Sequence, residues 1–265
     1  MLKNHVEQER PGEEELGRRL EEARKRLGAL QMQIKEHGLP VLVLMEGWGT
    51  AGKGSTIGKI IRNIDPRFFK VATMAAPTEE ELRKPFLYRY FARIPEAGKF
   101  TFLDSGWMDE ITGDVLQGKL DDKGYASRID SVKRFERQLT DNGYLVMKFF
   151  FHIDEKEQRK RLDALLVNKD TSWRVSDSDR WQNKHYDKCL KVFDRYLDDT
   201  NVSTAPWYIV DAHSRKWAQL QVLEMLCQGI DVALQNKSLA VPLLQNTFPL
   251  EKMPKLGEIA LDKTI

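Results

Sequence analysis

A segment rich in glycine, residues 47–55, has the composition of a phosphate-binding loop. It reads GWGTAGKGS and lies between an apolar run that predicts a buried strand and a stretch that predicts a helix. The glycines let successive backbone N–H groups converge on phosphate oxygens, Lys53 adds a mobile cation, and the helix contributes its positive end. The residues predicted to bind phosphate are Gly47, Gly49, Thr50, Ala51, Gly52, Lys53, Gly54 and Ser55.

The ligand of this loop should carry at least two linked phosphates, because the loop offers several donors and a cation. Lys53 is followed by Gly54 rather than by Ser or Thr, so a metal-binding hydroxyl would have to come from Ser55 or Thr56. A glycine-rich turn without a ligand is the alternative, which the agreement of turn, lysine, strand and helix disfavours.

A carboxylate ends a second apolar strand, residues 100–104, which read FTFLD. In proteins with a phosphate loop, an acid at such a strand end helps to hold the Mg²⁺ that neutralises the transferring phosphates. An Asp after a strand is otherwise more often a helix cap. With the loop present, Asp104 is predicted to be the metal ligand.

Two groups of basic residues could bind a polyanion. One contains Arg83, Lys84, Arg89 and Arg93, and the other contains Arg159, Lys160, Arg161, Lys169 and Arg174. Phosphoryl transfer needs positive groups around donor and acceptor. A solvated helix face is an equal alternative for any single residue, so only the groups as wholes favour a polyanionic ligand.

Hydrophobic periodicity predicts the elements that position these residues. An amphipathic helix is predicted from about Pro11 to Lys35, and further helices at 77–91 and 128–140. Apolar runs predict strands at 41–45, 70–74, 100–103, 144–153 and 207–210. Five strands that alternate with helices imply an α/β fold with a parallel, doubly wound sheet.

Three regions follow from these patterns: an N-terminal amphipathic helix (1–38), a phosphotransferase domain (39–235) and a C-terminal tail or linker (236–265). The tail is predicted because periodicity is lost after Gly229 and prolines follow. Within the domain, a charged helical segment at about 155–200 is predicted to be a lid that closes to exclude water.

Composition excludes several classes of protein. A net charge of +2 gives little reason to expect a nucleic-acid partner. Cys189 and Cys227 are far apart and lack metal-ligand spacing, so neither a disulfide nor a zinc site is expected. No apolar run is long enough to cross a bilayer or to form a signal peptide. We therefore expect a cytoplasmic protein without a membrane partner.

Several motifs between residues 46 and 207 resemble the polyphosphate kinase 2 family, particularly its tandem-domain polyphosphate:AMP phosphotransferases, and the similarity covers roughly Leu27 to Gly229. They are EGW and AGKG within 46–54, APTEEE at 76–81, RKPFLYR at 83–89, FERQL at 135–139, KFF at 148–150, TSWR at 171–174 and APW at 205–207. The resemblance implies a P-loop kinase-like three-layer sandwich with a five-stranded parallel sheet and a helical lid.

The same resemblance implies that phosphate moves between inorganic polyphosphate and a nucleoside mono- or diphosphate with Mg²⁺. The residues it suggests as catalytic are Lys53, Asp104 and Arg174. Those it suggests for polyphosphate or nucleotide are Arg83, Lys84, Arg89, Arg93, Arg161 and Trp173.

The sequence departs from this family at two positions. The family's loop usually carries an Asp where this chain has Gly49, and its second motif an Arg where this chain has Ser105. These losses predict slow turnover with binding retained, and predict that Gly49→Asp raises activity. If turnover is ordinary instead, Glu46, Asp109 or Glu110 would have to supply the carboxylate.

Three functions therefore stay open: a polyphosphate-dependent nucleotide phosphotransferase, a domain of the same family that binds without turnover, and an ATP-dependent kinase. The last explains neither the lid motif nor the basic helix. Residues 253–258, MPKLGE, resemble the linker between two kinase domains in tandem members. A homo-oligomer or a partner kinase domain is accordingly a candidate partner.

Overall fold

A parallel five-stranded sheet forms the centre of the molecule. The computed structural model describes residues 1–2, 5, 9–74 and 76–244, the last eight of these by their backbone alone. The strand order is β2-β3-β1-β4-β5, and each neighbouring pair is parallel. The strands are β1 (Val41–Gly47), β2 (Phe69–Thr73), β3 (Phe100–Asp104), β4 (Leu145–His152) and β5 (Trp207–Asp211). The predicted parallel α/β sheet is confirmed.

Helices cover both faces of the sheet and complete the predicted three-layer sandwich. On one face lie α1 (Glu13–Glu36), α2 (Lys53–Ile60) and α11 (Arg215–Leu244). On the other lie α5 (Trp107–Leu116), α6 (Asp122–Asp141) and α10 (Tyr186–Thr200). The remaining α-helices among the described residues are α3 (Glu79–Leu82), α4 (Tyr88–Phe91), α7 (Glu155–Val167), α8 (Lys169–Ser172) and α9 (Asp177–Lys184).

The sheet brings the two predicted site segments together. β1 is buried from Val41 to Glu46, as its unbroken apolar run requires when helices cover both faces. In the register of the sheet, Met45 of β1 lies opposite Asp104 of β3. Because the carboxyl ends of parallel strands share one edge, the phosphate loop after β1 and the Asp104 carboxylate meet there.

Helix α1 confirms the predicted amphipathic helix, but the continuous helix expected at 77–91 and the loss of helical periodicity expected after Gly229 were wrong. The helix expected at 77–91 is divided into α3 and α4, because Pro85 lacks an N–H and cannot continue a helix from α3. Helix α11 continues past Gly229 into the predicted tail. A Cβ at Gly229 would lie 2.8 Å from the Met147 sulfur, so this glycine allows α11 to approach β4 rather than ending the helix. Residues 245–265 of the predicted tail lie outside the described residues.

The segment predicted as a lid consists of two different parts. Helix α10 belongs to the core, since it buries Cys189, Phe193, Tyr196 and Leu197. Helices α7, α8 and α9 carry most of the exposed residues of the segment. We therefore keep the lid proposal for residues 155–184 only.

A buried ion pair connects the sheet to the helices above it. Lys148 of β4 and Glu136 of α6 are both fully buried, with Nζ 2.7 Å from Oε2. Lys148 also donates to the Thr200 carbonyl at 2.9 Å, and the Trp107 indole donates to Glu136 at 3.3 Å. These bonds satisfy two charges that would otherwise be costly to bury.

Across the described residues, no helix combines the length and apolarity that crossing a bilayer would need.

Candidate phosphate-binding site

The glycine-rich loop presents the start of helix α2 to solvent. Gly52 is the N-cap of α2 and has φ 102°, a conformation that glycine adopts without a steric penalty. The first turn of α2 contains no acidic residue and no side chain caps its start, so no carboxylate of that turn offsets the positive end of the helix dipole. Of the two candidate hydroxyls in this turn, Ser55 is exposed and Thr56 is buried. The local structure is therefore suited to an anion.

Lys53 and Asp104 meet at this loop, as the sequence predicts. The Lys53 ammonium donates to the carbonyls of Gly47 at 3.0 Å and Trp48 at 3.1 Å, so the side chain lies along the loop. Asp104 lies against α2, because a Cβ on Gly54 would be 2.9 Å from its Oδ2. Burial raises the pKa of Asp104, and the charge of Lys53 opposes that rise.

Glu46, the last residue before the loop, is buried and protonated at neutral pH. Burial, followed by the charge of Asp109, raises its pKa to about 8, while Lys53 acts in the opposite direction. Its Oε1 accepts a hydrogen bond from the Met108 N–H at 3.1 Å. An uncharged Glu46 does not repel a bound phosphate.

Amide side chains hold the peptide of Gly49 from both sides. The Gly49 N–H donates to Gln182 of α9 at 3.1 Å, and the Gly49 carbonyl accepts from Gln158 of α7 at 3.3 Å. Asn183 joins these helices by donating to Gln158 at 3.1 Å and to the Glu155 carbonyl at 3.0 Å. Sequence analysis missed this network, because no local pattern marks an amide whose partner lies more than a hundred residues away.

Arg161 holds the loop and does not face an open cavity. Its guanidinium donates to the carbonyls of Thr50 at 3.3 Å and Ala51 at 3.1 Å. It also donates to the carbonyls of Ala212 and His213 at 2.7 and 3.0 Å, and to Glu157 at 2.8 Å. These contacts give Arg161 a role in shaping the loop, and its binding of polyphosphate stays a prediction.

Two cavities adjoin at α5, and each is lined by a neighbour of the loop or of Asp104: Gly106 lines one, and Gln182, which binds Gly49, lines the other. The larger, about 590 Å³, has charged side chains of both signs: Glu81, Lys84, Arg89, Asp109, Glu110, Asp114, Lys119 and Arg128. The smaller, about 400 Å³, is more apolar and is lined by Thr112, Leu116, Trp181 and Phe193 among others. Asp109 and Gly113 of α5 line both. Together they could hold an anionic group and a flat, less polar group.

The predicted basic residues divide between this site and the surface. Lys84 and Arg89 line the larger cavity, whereas Arg83 and Arg93 do not. Arg89 is buried and lies 3.7 Å from Glu110 and 3.9 Å from Glu81. The sequence did not suggest Arg128 or Lys119, which reach the cavity from α6 and from the turn before it.

Trp173 and Arg174 lie at the exposed end of α8 and line neither cavity. Trp173 is 76% exposed, and the Arg174 guanidinium lies 5.3 Å from the centre of its ring. The structure therefore does not bring the predicted catalytic Arg174 to the loop.

The two positions at which the sequence lacks the family's usual Asp and Arg, Gly49 and Ser105, have different surroundings. The space above Gly49 is occupied by the carboxylate of Asp179 from α9, a residue that the sequence analysis did not consider. This reverses the expectation for Gly49→Asp, because an aspartate there would meet the aspartate already present. Ser105 has φ 63° and donates its N–H to the Met45 carbonyl at 3.0 Å.

Within the part of the chain that the structure describes, the site around Asp104 has too few protein ligands to hold a metal ion by themselves, and it fits Mg²⁺ that is shared with substrate phosphates. Among the described residues, no three His, Cys, Asp or Glu side chains come together as a metal-binding group. Mg²⁺ is commonly bound by one or two carboxylates together with substrate phosphates and water. Asp104, next to a loop whose local structure is suited to an anion, meets that requirement.

Comparison with known proteins relates this chain to polyphosphate kinases. The polyphosphate kinase 2 family profile matches residues 11–238. A polyphosphate:AMP phosphotransferase of Pseudomonas aeruginosa is 32% identical over 220 residues, which are 83% of this chain and 44% of that protein. An ADP-polyphosphate phosphotransferase of the same organism is 28% identical over 80% of this chain and 69% of its own length.

A solved structure supports the same relationship. The crystal structure of polyphosphate kinase 2 from Arthrobacter aurescens TC1 superposes with a TM-score of 0.77 at 25% identity, over 91% of this chain and 83% of that one. The chain spans less than half the length of the polyphosphate:AMP phosphotransferases it matches.

Proposed function

Because the chain belongs to the polyphosphate kinase 2 family, we propose that it transfers a phosphoryl group between inorganic polyphosphate and AMP, or a related nucleoside mono- or diphosphate, with Mg²⁺. In the direction of ADP formation, the terminal P–O bond of the polyphosphate chain breaks. A new P–O bond forms to a phosphate oxygen of AMP, and the chain leaves one phosphate shorter.

The observation that carries this proposal is the meeting of the loop, Lys53 and Asp104 at one edge of the sheet, with a charged cavity of about 590 Å³ that Gly106, two residues after Asp104, helps to line. The loop N–H groups and Lys53 bind the phosphates of the donor. Asp104 holds Mg²⁺ together with those phosphates, and the ion neutralises their charge. Lys84 and Arg128, which line the cavity, bind the anionic acceptor. The protonated Glu46 keeps a further negative charge away from the transferred group.

A second candidate is a domain that binds polyphosphate without turnover. Ser105 favours it, since a hydroxyl replaces the arginine that the family's second motif usually supplies for developing negative charge. A second copy of this chain or a separate kinase domain is a further proposed partner. Size measurement of the purified protein would detect the second copy.

The test is a Mg²⁺-dependent assay of ADP formation from AMP with polyphosphate as the sole donor, and with ATP in parallel. Wild-type protein should form ADP from polyphosphate, and Lys53→Ala should lose this activity. Lys70→Ala, on the exposed edge strand β2, is the matched control.

The other outcomes separate the alternatives. Thermal stabilisation by polyphosphate without ADP formation would support the binding domain. Turnover with ATP alone would support an ATP-dependent kinase. Neither binding nor turnover would overturn the proposal.

A further inference from the structure

The Asp179 carboxylate fills the space that a side chain at position 49 would occupy. A Cβ built on Gly49 would overlap Oδ1 of Asp179 and lie 2.8 Å from its Cγ and 3.2 Å from its Cβ. Any other residue at position 49 would therefore displace this carboxylate or the helix that carries it. The fit between loop and helix depends on glycine having no side chain.

The position of Asp179 is fixed by its own hydrogen bonds. Its Oδ2 accepts from the Ser176 N–H at 2.8 Å and from the Ser176 hydroxyl at 2.7 Å, and its own N–H donates to that hydroxyl at 3.1 Å. This capping box starts helix α9. While Oδ2 binds Ser176, Oδ1 faces Gly49.

The same helix is bound to the loop through Gln182, one turn further along. Gln182 is 8% exposed and accepts the Gly49 N–H, so two residues of α9 contact the same glycine from one helix face. Asn183 connects α9 to Gln158, which binds the Gly49 carbonyl. A side chain at position 49 that pushed α9 outward would therefore also break the amide network.

Asp179 is electrostatically part of the phosphate site. The pKa of Asp109, which lines both cavities, is raised first by burial and then by the charges of Asp179 and Asp104, while Lys53 opposes the rise. A charge on α9 is thus felt within the cavity where the acceptor is proposed to bind.

We propose that Asp179 supplies the carboxylate of the phosphate loop from the lid helix α9, and that Gly49 is its steric complement. The carboxylate reaches the loop only while α9 is docked, so docking of the helix and completion of the site are one event. Asp179 is a positioning residue on this proposal, because it touches the loop and acts through it. The proposal rests on the proposed function for its kinetic part only.

The test transposes the carboxylate from the helix to the loop. Asp179→Ser should lower kcat at least tenfold, because it removes the carboxylate. Gly49→Asp alone should also lower kcat at least tenfold, because two carboxylates then compete for one space. The double variant Gly49→Asp/Asp179→Ser returns one carboxylate to the same place and should recover kcat to within about threefold of wild type.

Two further variants separate the carboxylate from packing. Gly49→Ala/Asp179→Ser fills the space without a charge, so it should restore docking of α9 but not kcat. Asp163→Ser removes an exposed carboxylate from α7 and should change neither. Docking is measured by the rate of tryptic cleavage within 169–180. This rate should rise in Gly49→Asp and return to the wild-type value in both double variants.

Three results would overturn the proposal. One is a higher kcat in Gly49→Asp than in wild type. Another is a stably folded Gly49→Asp/Asp179→Ser protein that binds pyrophosphate but is no more active than its single parents. The third is equal cleavage rates in wild type and Gly49→Asp. If wild-type protein has no turnover, the proposed function fails, and the cleavage rates of the same variants still decide whether Gly49 and Asp179 are complementary.

Discussion

Glu46→Gln should remove a pH dependence of stability that the wild-type protein carries. Glu46 is fully buried at the end of β1, where burial, and then the charge of Asp109, raise its pKa from 4.5 to about 8 against the opposing charge of Lys53. In the unfolded chain the same carboxyl is surrounded by water and keeps its ordinary pKa. Between these two pKa values, the folded protein retains a proton that the unfolded chain has released.

The sign and size of the effect follow from that difference. The contribution of Glu46 to stability is complete below about pH 4.5 and is lost as the pH rises toward about 8. Each pH unit within this window lowers the free energy of unfolding by about 1.4 kcal/mol. Between about pH 5.5 and about pH 7.5, the free energy of unfolding of the wild type should therefore fall by about 2.7 kcal/mol relative to a variant that lacks this titrating group.

Urea unfolding of wild type and Glu46→Gln at those two pH values measures this loss. The contributions of the other titrating groups are common to both proteins, so they cancel when one free energy of unfolding is subtracted from the other. The glutamine keeps an oxygen for the Met108 N–H, which lies 3.1 Å from Oε1 in the wild type. Glu14→Gln on an exposed part of α1 is the control for a change of charge at the surface. The same free-energy difference at both pH values would refute the assignment of a protonated Glu46.

Three more features lead to measurable outcomes. Lys148→Ala leaves the buried Glu136 without its cation and should lower the free energy of unfolding by about 3–5 kcal/mol in urea titrations. Lys148→Met/Glu136→Gln should recover most of this loss, and an equal loss in both variants would show that the ion pair is not the cause. Arg161→Lys keeps the charge but loses the planar set of donors under the loop, so pyrophosphate should raise its melting temperature less than that of wild type; an unchanged shift would mean that the loop is shaped without Arg161. Polyphosphate with nucleotide should slow tryptic cleavage within 169–180, and equal cleavage with and without them would count against a lid at 155–184.

Local sequence patterns determined the sheet, α1 and the phosphate loop. The strand β1 is buried on both faces, so its apolar run is continuous and easily recognised. Helix α1 buries one face only, and its leucines therefore recur at helical spacing. The loop requires glycines and a lysine at fixed distances along the chain, which is a property of sequence alone. Asp104 followed from the same reasoning, because a parallel sheet places the ends of its strands together.

Only the tertiary structure decided which side chains complete the site. Asp179 and Gln182 reach Gly49 from a helix about 130 residues later in the chain, and no spacing rule connects positions so far apart. Arg161, one cation among many in a charged segment, binds backbone carbonyls rather than solvent because α7 passes beneath the loop. Glycine at position 49 had the appearance of a lost carboxylate in the sequence. In the folded protein the carboxylate is present, because packing of α9 brings one from elsewhere into the space that glycine leaves open.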